Sequence, residues 1–126
     1  MVFKKTKKTG IERIWRALGH SFSGLKNAAV NEKAFQQEIV LFIIATGAAM
    51  FLPTTGLLKI IIFVCNSMVL IVELLNSSIE SIVDKASPEY NELAKHSKDM
   101  GSAAVFLSII CCFSVWCYAI YASIFK

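Results

Sequence analysis

The sequence predicts an all-α membrane protein, with one amphipathic helix on the membrane surface followed by three transmembrane helices. Three observations predict it. Long apolar runs occupy about 34–52, 57–84 and 100–125. Hydrophobic residues make up 56% of the chain and its mean hydropathy is +0.59, high for a soluble protein. Basic residues are unevenly placed. Eight of the thirteen Lys and Arg lie in residues 1–33, and Lys85, Lys95 and Lys98 lie between the second and third runs. The 126 residues suffice for a single domain over 1–126. A small helical chain cannot enclose a large core by itself, so self-association is expected. No cleavable signal peptide is expected, because the first apolar run starts late and lacks a small-residue cleavage pattern.

Residues 1–9 carry Lys4, Lys5, Lys7 and Lys8, which read as a solvated tail and as an attraction to anionic lipid, two readings that can both hold. The surface helix is expected over about 11–29. Ile11, Ile14, Trp15, Leu18, Phe22 and Leu25 recur at helical spacing, with Arg13, Arg16, His20 and Lys26 interleaved. A soluble core helix would look similar, but this chain offers no soluble core. Asn31 is the expected N-cap of the first span, with Glu32 in its first turn. The strictly apolar part of that span, Ile39–Leu52, is short for a ~30 Å hydrocarbon core. Gln36, Gln37 and Glu38 must therefore enter the interfacial zone.

Pro53-Thr54-Thr55-Gly56 reads as a tight uncharged turn. The second span follows over about 57–84. Ser87 and Pro88 read as the N-cap and first position of the next helix, which leads into the third span. Trp116, Tyr118 and Tyr121 suit an aromatic belt near its end. The basic segments place the N-terminus and the 84–99 link in the cytoplasm, with the C-terminus on the opposite side. Cys65, Cys111, Cys112 and Cys117 all lie in apolar runs and form no CxxC pair, so they read as small hydrophobes.

The unusual feature is a polar stripe on the second span. Glu73, Asn76, Glu80 and Asp84 fall within roughly 80° of one another at about 100° per residue. A helix end emerging into water accounts for Asp84 and for Glu80, but less well for Glu73 and Asn76. Acids on a membrane-length helix are costly to hold and point to function. With hydrocarbon starting near Leu57, Glu73 lies ~24 Å along the axis, at glycerol and headgroup depth.

Glu32, Glu38, Glu73, Asn76, Glu80, Asp84, Lys98 and Asp99 therefore converge on the cytoplasmic boundary. Carboxylates at this density repel unless a cation joins them. Hard oxygen ligands suit Mg²⁺, which is commonly held by two carboxylates plus nucleotide phosphates. Lys98 can neutralise phosphate charge. Glu73 is placed to accept a proton from a hydroxyl at the glycerol level. The set suits phosphoryl transfer from Mg·ATP to a lipid alcohol. GxxxxGK[ST], GxGxxG and the HRD and DFG motifs are all absent, so the residues themselves establish a charged membrane-face site and not ATP.

Three segments carry a family resemblance. Glu73 to Asp84, ELLNSSIESIVD, resembles the E-x-L-N-S/T-A-I-E-A-V-V-D signature of the small prokaryotic diacylglycerol kinases. Ala94 to Val105, AKHSKDMGSAAV, resembles their second signature, and Asn31 to Glu38, NEKAFQQE, is similar to their NEAAFRQE. The resemblance covers nearly the whole chain. It implies a homotrimeric bundle of three-span subunits in the bacterial inner membrane, with composite sites between subunits and no nucleic-acid partner. It also implies Mg·ATP-dependent phosphorylation of diacylglycerol to phosphatidic acid.

Carried over residue by residue, the resemblance makes Glu73 the catalytic base and Glu32 and Glu80 the metal ligands. Arg13, His20, Glu89, Tyr90, Asn91, Lys98 and Asp99 join Glu32 and Glu80 around the nucleotide. Ser102, Lys59, Glu38 and Trp116 join Glu73 around the lipid, and Asn76 and Asp84 support the site. Gln36, His20 and Lys59 depart from the residues common in the family.

A related branch phosphorylates undecaprenol, and Met100-Gly101-Ser102 with the full third span favours the diacylglycerol branch. A reading from another class is a small proton-coupled transporter. Such proteins usually need more spans and an acid near the midplane, whereas these acids crowd at one face.

Overall fold

The computed structural model describes residues 9–125. The basic run containing Lys4, Lys5, Lys7 and Lys8 lies outside the described residues. The described chain forms four helices: α1 (Gly10–Asn31), α2 (Lys33–Phe51), α3 (Gly56–Ala86) and α4 (Glu92–Ile124). The last three are each long and apolar enough to cross a membrane. This is the expected surface helix plus three spans.

Helix α1 ends where Glu32 adopts an extended conformation, and α2 starts one residue later. The N-cap of α2 is therefore Glu32 and not Asn31, which corrects the sequence expectation. Asn31 completes the last turn of α1, where its side-chain amide donates to Asn27 Oδ1 at 2.6 Å. Glu32 makes no side-chain capping bond, so its carboxylate remains available for other work. The apolar stripe of α1, including Ile11, Ile14, Trp15 and Phe22, is exposed, and only Ala28 on this helix is buried. A helix with one apolar face and no protein partner for it is suited to the membrane interface.

Helix α3 is the central element and packs against both α2 and α4. Thr55 opens it, its hydroxyl accepting from Leu58 N at 3.3 Å. A second correction concerns residues 87–91. Ser87 closes α3 instead of opening α4, and Pro88 lies in a non-helical link. Asn91 is the N-cap of α4, because its Oδ1 accepts from both Leu93 N (2.9 Å) and Ala94 N (3.2 Å). Two bonds to one cap outweigh the weaker Ser-Pro signal.

Ala49, Leu58, Ile62 and Ala119 form a small apolar core near the 53–56 turn, with Leu52, Val115, Trp116 and Ala122 packed on it. Most large apolar side chains on the three long helices remain exposed. One copy of the chain leaves that area for lipid or for further copies. At the other end, α3 buries polar groups instead: Glu73, Asn76 and Ser77.

Gly101 lets α4 approach α3 at that end. A Cβ at this position would overlap Asn76 Oδ1, and the Asn76 Cα lies only 3.9 Å away. We expect Gly101→Ala to destabilise the fold by about 1–3 kcal/mol through overpacking and to lower activity by displacing Asn76. A Cβ at Gly47 meets nothing within 4 Å, so Gly47→Ala serves as the matched control. Thermal unfolding of both variants in detergent checks this. Equal midpoints would refute the close-approach argument.

Candidate active site

The stripe on α3 changes character along its length. Glu73 is 5% exposed and Asn76 8% exposed, whereas Asp84 is open to solvent. Glu73 Oε1 accepts a hydrogen bond from Ser77 Oγ at 3.3 Å, one turn further along the helix. Glu80 and Glu32 are near enough to act on it electrostatically, and Glu73 in turn acts on Glu38. Four carboxylates from α2, α3 and the α1–α2 junction thus share one region. Neither Glu32 nor Glu80 forms a direct ion pair among the described residues, although Lys98 is near enough to Glu80 to feel its charge. No group of three or more His, Cys, Asp or Glu among the described residues is arranged to hold a metal on its own. Two carboxylates completed by phosphate oxygens remain compatible with that arrangement.

Two buried acceptor atoms here lack a donor among the described residues: Asn76 Oδ1 and Glu38 Oε2. An unpaired buried acceptor costs about 1–3 kcal/mol. A donor brought by a ligand or by another subunit would remove that penalty.

Three hollows surround the acids. The first, about 400 Å³, is an apolar groove between α2, α3 and α4. Glu38 lies at one end, and Phe42, Leu70, Phe113 and Trp116 form walls. The second, about 640 Å³, lies between α1 and α3 and includes Glu32, Ser77, Ser78 and Ser81. The third, about 310 Å³, lies at the link and contains Asp84, Glu89, Tyr90, Asn91, Lys98 and Asp99. Lys98 Nζ donates to Asp84 Oδ1 at 2.8 Å, and Lys95 Nζ donates to Asp99 Oδ2 at 2.8 Å. Both pairs are substantially exposed, so each contributes little to stability. Their consequence is positional: Lys98 is held by Asp84 and makes no bond to Glu73.

The structure brings together some of the expected residues and separates others. Glu38 and Trp116 share the apolar groove. Glu89, Tyr90, Asn91, Lys98 and Asp99 share the link pocket, with Asp84 beside them. Glu32 lies in the α1–α3 cleft with Ser77. Within one chain the link pocket and this cleft are separate hollows with no common lining residue. Arg13 and His20 are exposed on α1, and Ser102 is exposed on α4. Lys59 lies at the opposite end of α3, where its Nζ donates to the Met50 carbonyl at 2.8 Å. It lines a small hollow with Thr46, Ala49 and Phe63 instead of the groove.

Trp116 corrects the aromatic-belt expectation, because its indole N–H points inward and donates to Asn66 Oδ1 at 3.1 Å. Tyr118 and Tyr121 stay exposed, as a belt requires. All four cysteines are free, but Cys112 is more than a small hydrophobe: its thiol donates to Asn66 at 3.1 Å.

Reading the sequence missed Asn66 and Ser77. Asn66, Glu73 and Glu80 are spaced by seven and lie on one side of α3. Extending the polar stripe backward by that spacing would have found Asn66.

The sequence profile described as prokaryotic diacylglycerol kinase matches residues 19–120. Curated relatives carry the same description. The diacylglycerol kinase of Escherichia coli (strain K12) is 41% identical over 114 residues, covering 90% of this chain and 93% of that protein. The diacylglycerol kinase of Pseudomonas aeruginosa is 41% identical over 109 residues, covering 86% and 88%. That of Helicobacter pylori (strain 26695) is 36% identical over 110 residues, covering 87% and 86%.

Proposed function

This chain belongs to the prokaryotic diacylglycerol kinase family, and from that premise we propose how its residues carry out lipid phosphorylation. It is an ATP-dependent lipid kinase of the membrane. The acceptor is the free hydroxyl of 1,2-diacylglycerol, and the products are phosphatidic acid and ADP. The observation that carries the reading is the surroundings of Glu73. This buried carboxylate neighbours both Glu38, at the end of the apolar groove, and Glu32, in the polar cleft.

The groove takes the acyl chains, because its walls are apolar and open to the hydrocarbon. The acceptor hydroxyl then lies at the acid-lined end. Ser77 holds the Glu73 carboxylate through Oε1, with Asn76 also within reach of it, and the carboxylate takes the proton of the hydroxyl. As the proton moves to Glu73, the acceptor oxygen forms a bond to the γ-phosphorus. The bond from that phosphorus to the β,γ-bridging oxygen breaks, and ADP leaves. Glu32 and Glu80 are the residues that would hold Mg²⁺, together with phosphate oxygens. When bound, the ion supplies charge neutralisation on the transferring phosphoryl group. The absence of a direct ion pair on either acid among the described residues fits this role. Lys98, held toward the link by Asp84, offers a fixed positive charge for nucleotide phosphate, beside Tyr90, Asn91 and Asp99.

The separation of the link pocket from the α1–α3 cleft supports a site completed by a neighbouring subunit. In a trimer, the α1 face of one copy, with Arg13 and His20, could meet the link of the next. The basic N-terminal segment and the 84–99 link face the cytoplasm, where ATP is available.

Purified protein in mixed micelles, supplied with γ-labelled ATP, Mg²⁺, diacylglycerol and undecaprenol in parallel, tests the reading. The expected result is label in phosphatidic acid and little in the polyprenol. Label predominantly in the polyprenol would move the chain to the other branch, and transfer to neither would end the proposal.

A further inference from the structure

Asn66 takes no part in the reaction described above, yet it is buried in the membrane-spanning part of α3 at 5% exposure. Its amide ties three helices together. Nδ2 donates to Thr46 Oγ1 on α2 at 3.2 Å. Oδ1 accepts from Cys112 Sγ at 3.1 Å and from Trp116 Nε1 at 3.1 Å, both on α4. The surrounding groove is otherwise apolar along this depth, with Phe42, Leu70, Ile109 and Phe113 on its walls. A hydrogen bond among apolar walls has no water to replace it, so it fixes geometry strongly. Trp116 is the largest side chain lining the groove. Without Asn66, its N–H would be stranded and the indole would turn, moving that wall.

We propose that Asn66 is a positioning residue for the acyl chains of the acceptor lipid, acting by holding the Trp116 indole as a fixed wall of the groove. The proposal rests on the kinase reading above. Seven residues separate Asn66 from Glu73, so it lies ~10 Å deeper along the helix axis. That is below the level of the reacting hydroxyl and among the chains. Its loss therefore alters lipid binding and leaves phosphoryl transfer intact. It also acts only on acceptors whose tails reach Trp116.

The test uses the full chain in a Trp15→Phe background, which leaves Trp116 as its single tryptophan, since the sequence has two. In that background Asn66→Leu should blue-shift the emission of Trp116. It should raise KM for dioleoylglycerol by about fivefold, the loss expected for one net hydrogen bond. The values of kcat, KM for ATP and KM for dibutyrylglycerol should not change, because the short tails end above the indole. Thr46→Val removes the bond on the other side of the amide and should move neither emission nor KM. In the original Trp15 background, Trp116→Phe should raise KM for dioleoylglycerol, and adding Asn66→Leu should raise it no further, since both changes remove the same wall.

Equal rises in KM for both lipids, or additive effects of the Asn66 and Trp116 changes, would overturn the proposal and leave a purely structural tie. An active parent with unchanged KM in Asn66→Leu would overturn it alone. A parent that transfers no phosphate to dioleoylglycerol would overturn the kinase reading, and this inference with it.

Discussion

Glu73→Gln should give a folded protein that binds Mg·ATP and transfers almost no phosphate. Gln keeps the size of Glu, and its carbonyl oxygen can still accept from Ser77 Oγ, which now bonds Glu73 Oε1 at 3.3 Å. It is a very poor base, so the loss should fall on kcat. Positioned base catalysis contributes about 10²–10⁴-fold, and a defect in that range or larger is expected. Stability should hold or rise. The change removes an anion that is 5% exposed and that sits among Glu32, Glu38 and Glu80, where burial and like charge both oppose it. A structural role would require Glu73 to be neutralised by a cation, but the lysine beside the acidic stripe, Lys98, is bonded to Asp84 at 2.8 Å. Thermal unfolding in detergent, read beside kcat at saturating ATP and lipid, checks both halves. A stable, nucleotide-binding variant with near-normal kcat would remove the general-base role.

Glu32→Gln and Glu80→Gln should each raise the Mg²⁺ concentration for half-maximal activity by about tenfold or more. Each change removes one unit of negative charge from a site that must attract a dication. At an effective dielectric constant near 20 a unit charge pair at 4 Å is worth about 4 kcal/mol. Even a third of that value corresponds to about tenfold. The two residues reach the region from different elements, Glu32 from the α1–α2 junction and Glu80 from α3. Glu32 makes no side-chain cap and neither acid forms a direct ion pair among the described residues. Mg²⁺ titrations at fixed ATP check the assignment. Unchanged Mg²⁺ dependence in both variants would transfer the metal role elsewhere. A shift in one variant alone would assign the ion to that residue.

Sequence and structure agree where the cause is local, and they part where two helices must meet. Glu73, Asn76, Glu80 and Asp84 form a stripe because a helix repeats every 3.6 residues, and that geometry is independent of any neighbour. The apolar face of α1 was legible for the same reason. The cap assignments failed by one to four residues. Asn31 and Ser87 are both good caps in isolation, and only the chain path selected Glu32 and Asn91.

By itself the sequence determined the membrane class, the surface helix, the three spans and the acidic stripe, because apolar length, helical period and charge are properties of contiguous residues. Tertiary structure decided which partners those residues found. It gave Asp84 to Lys98, set Gly101 against Asn76, and turned the Trp116 indole inward onto Asn66. It also placed Glu32 in one hollow and Glu89, Tyr90, Asn91, Lys98 and Asp99 in another. Each of these depends on the rotation and register of one helix against another. In a bundle with so small a core, those are fixed by a few close approaches and buried hydrogen bonds, whose partners lie up to fifty positions apart in the chain.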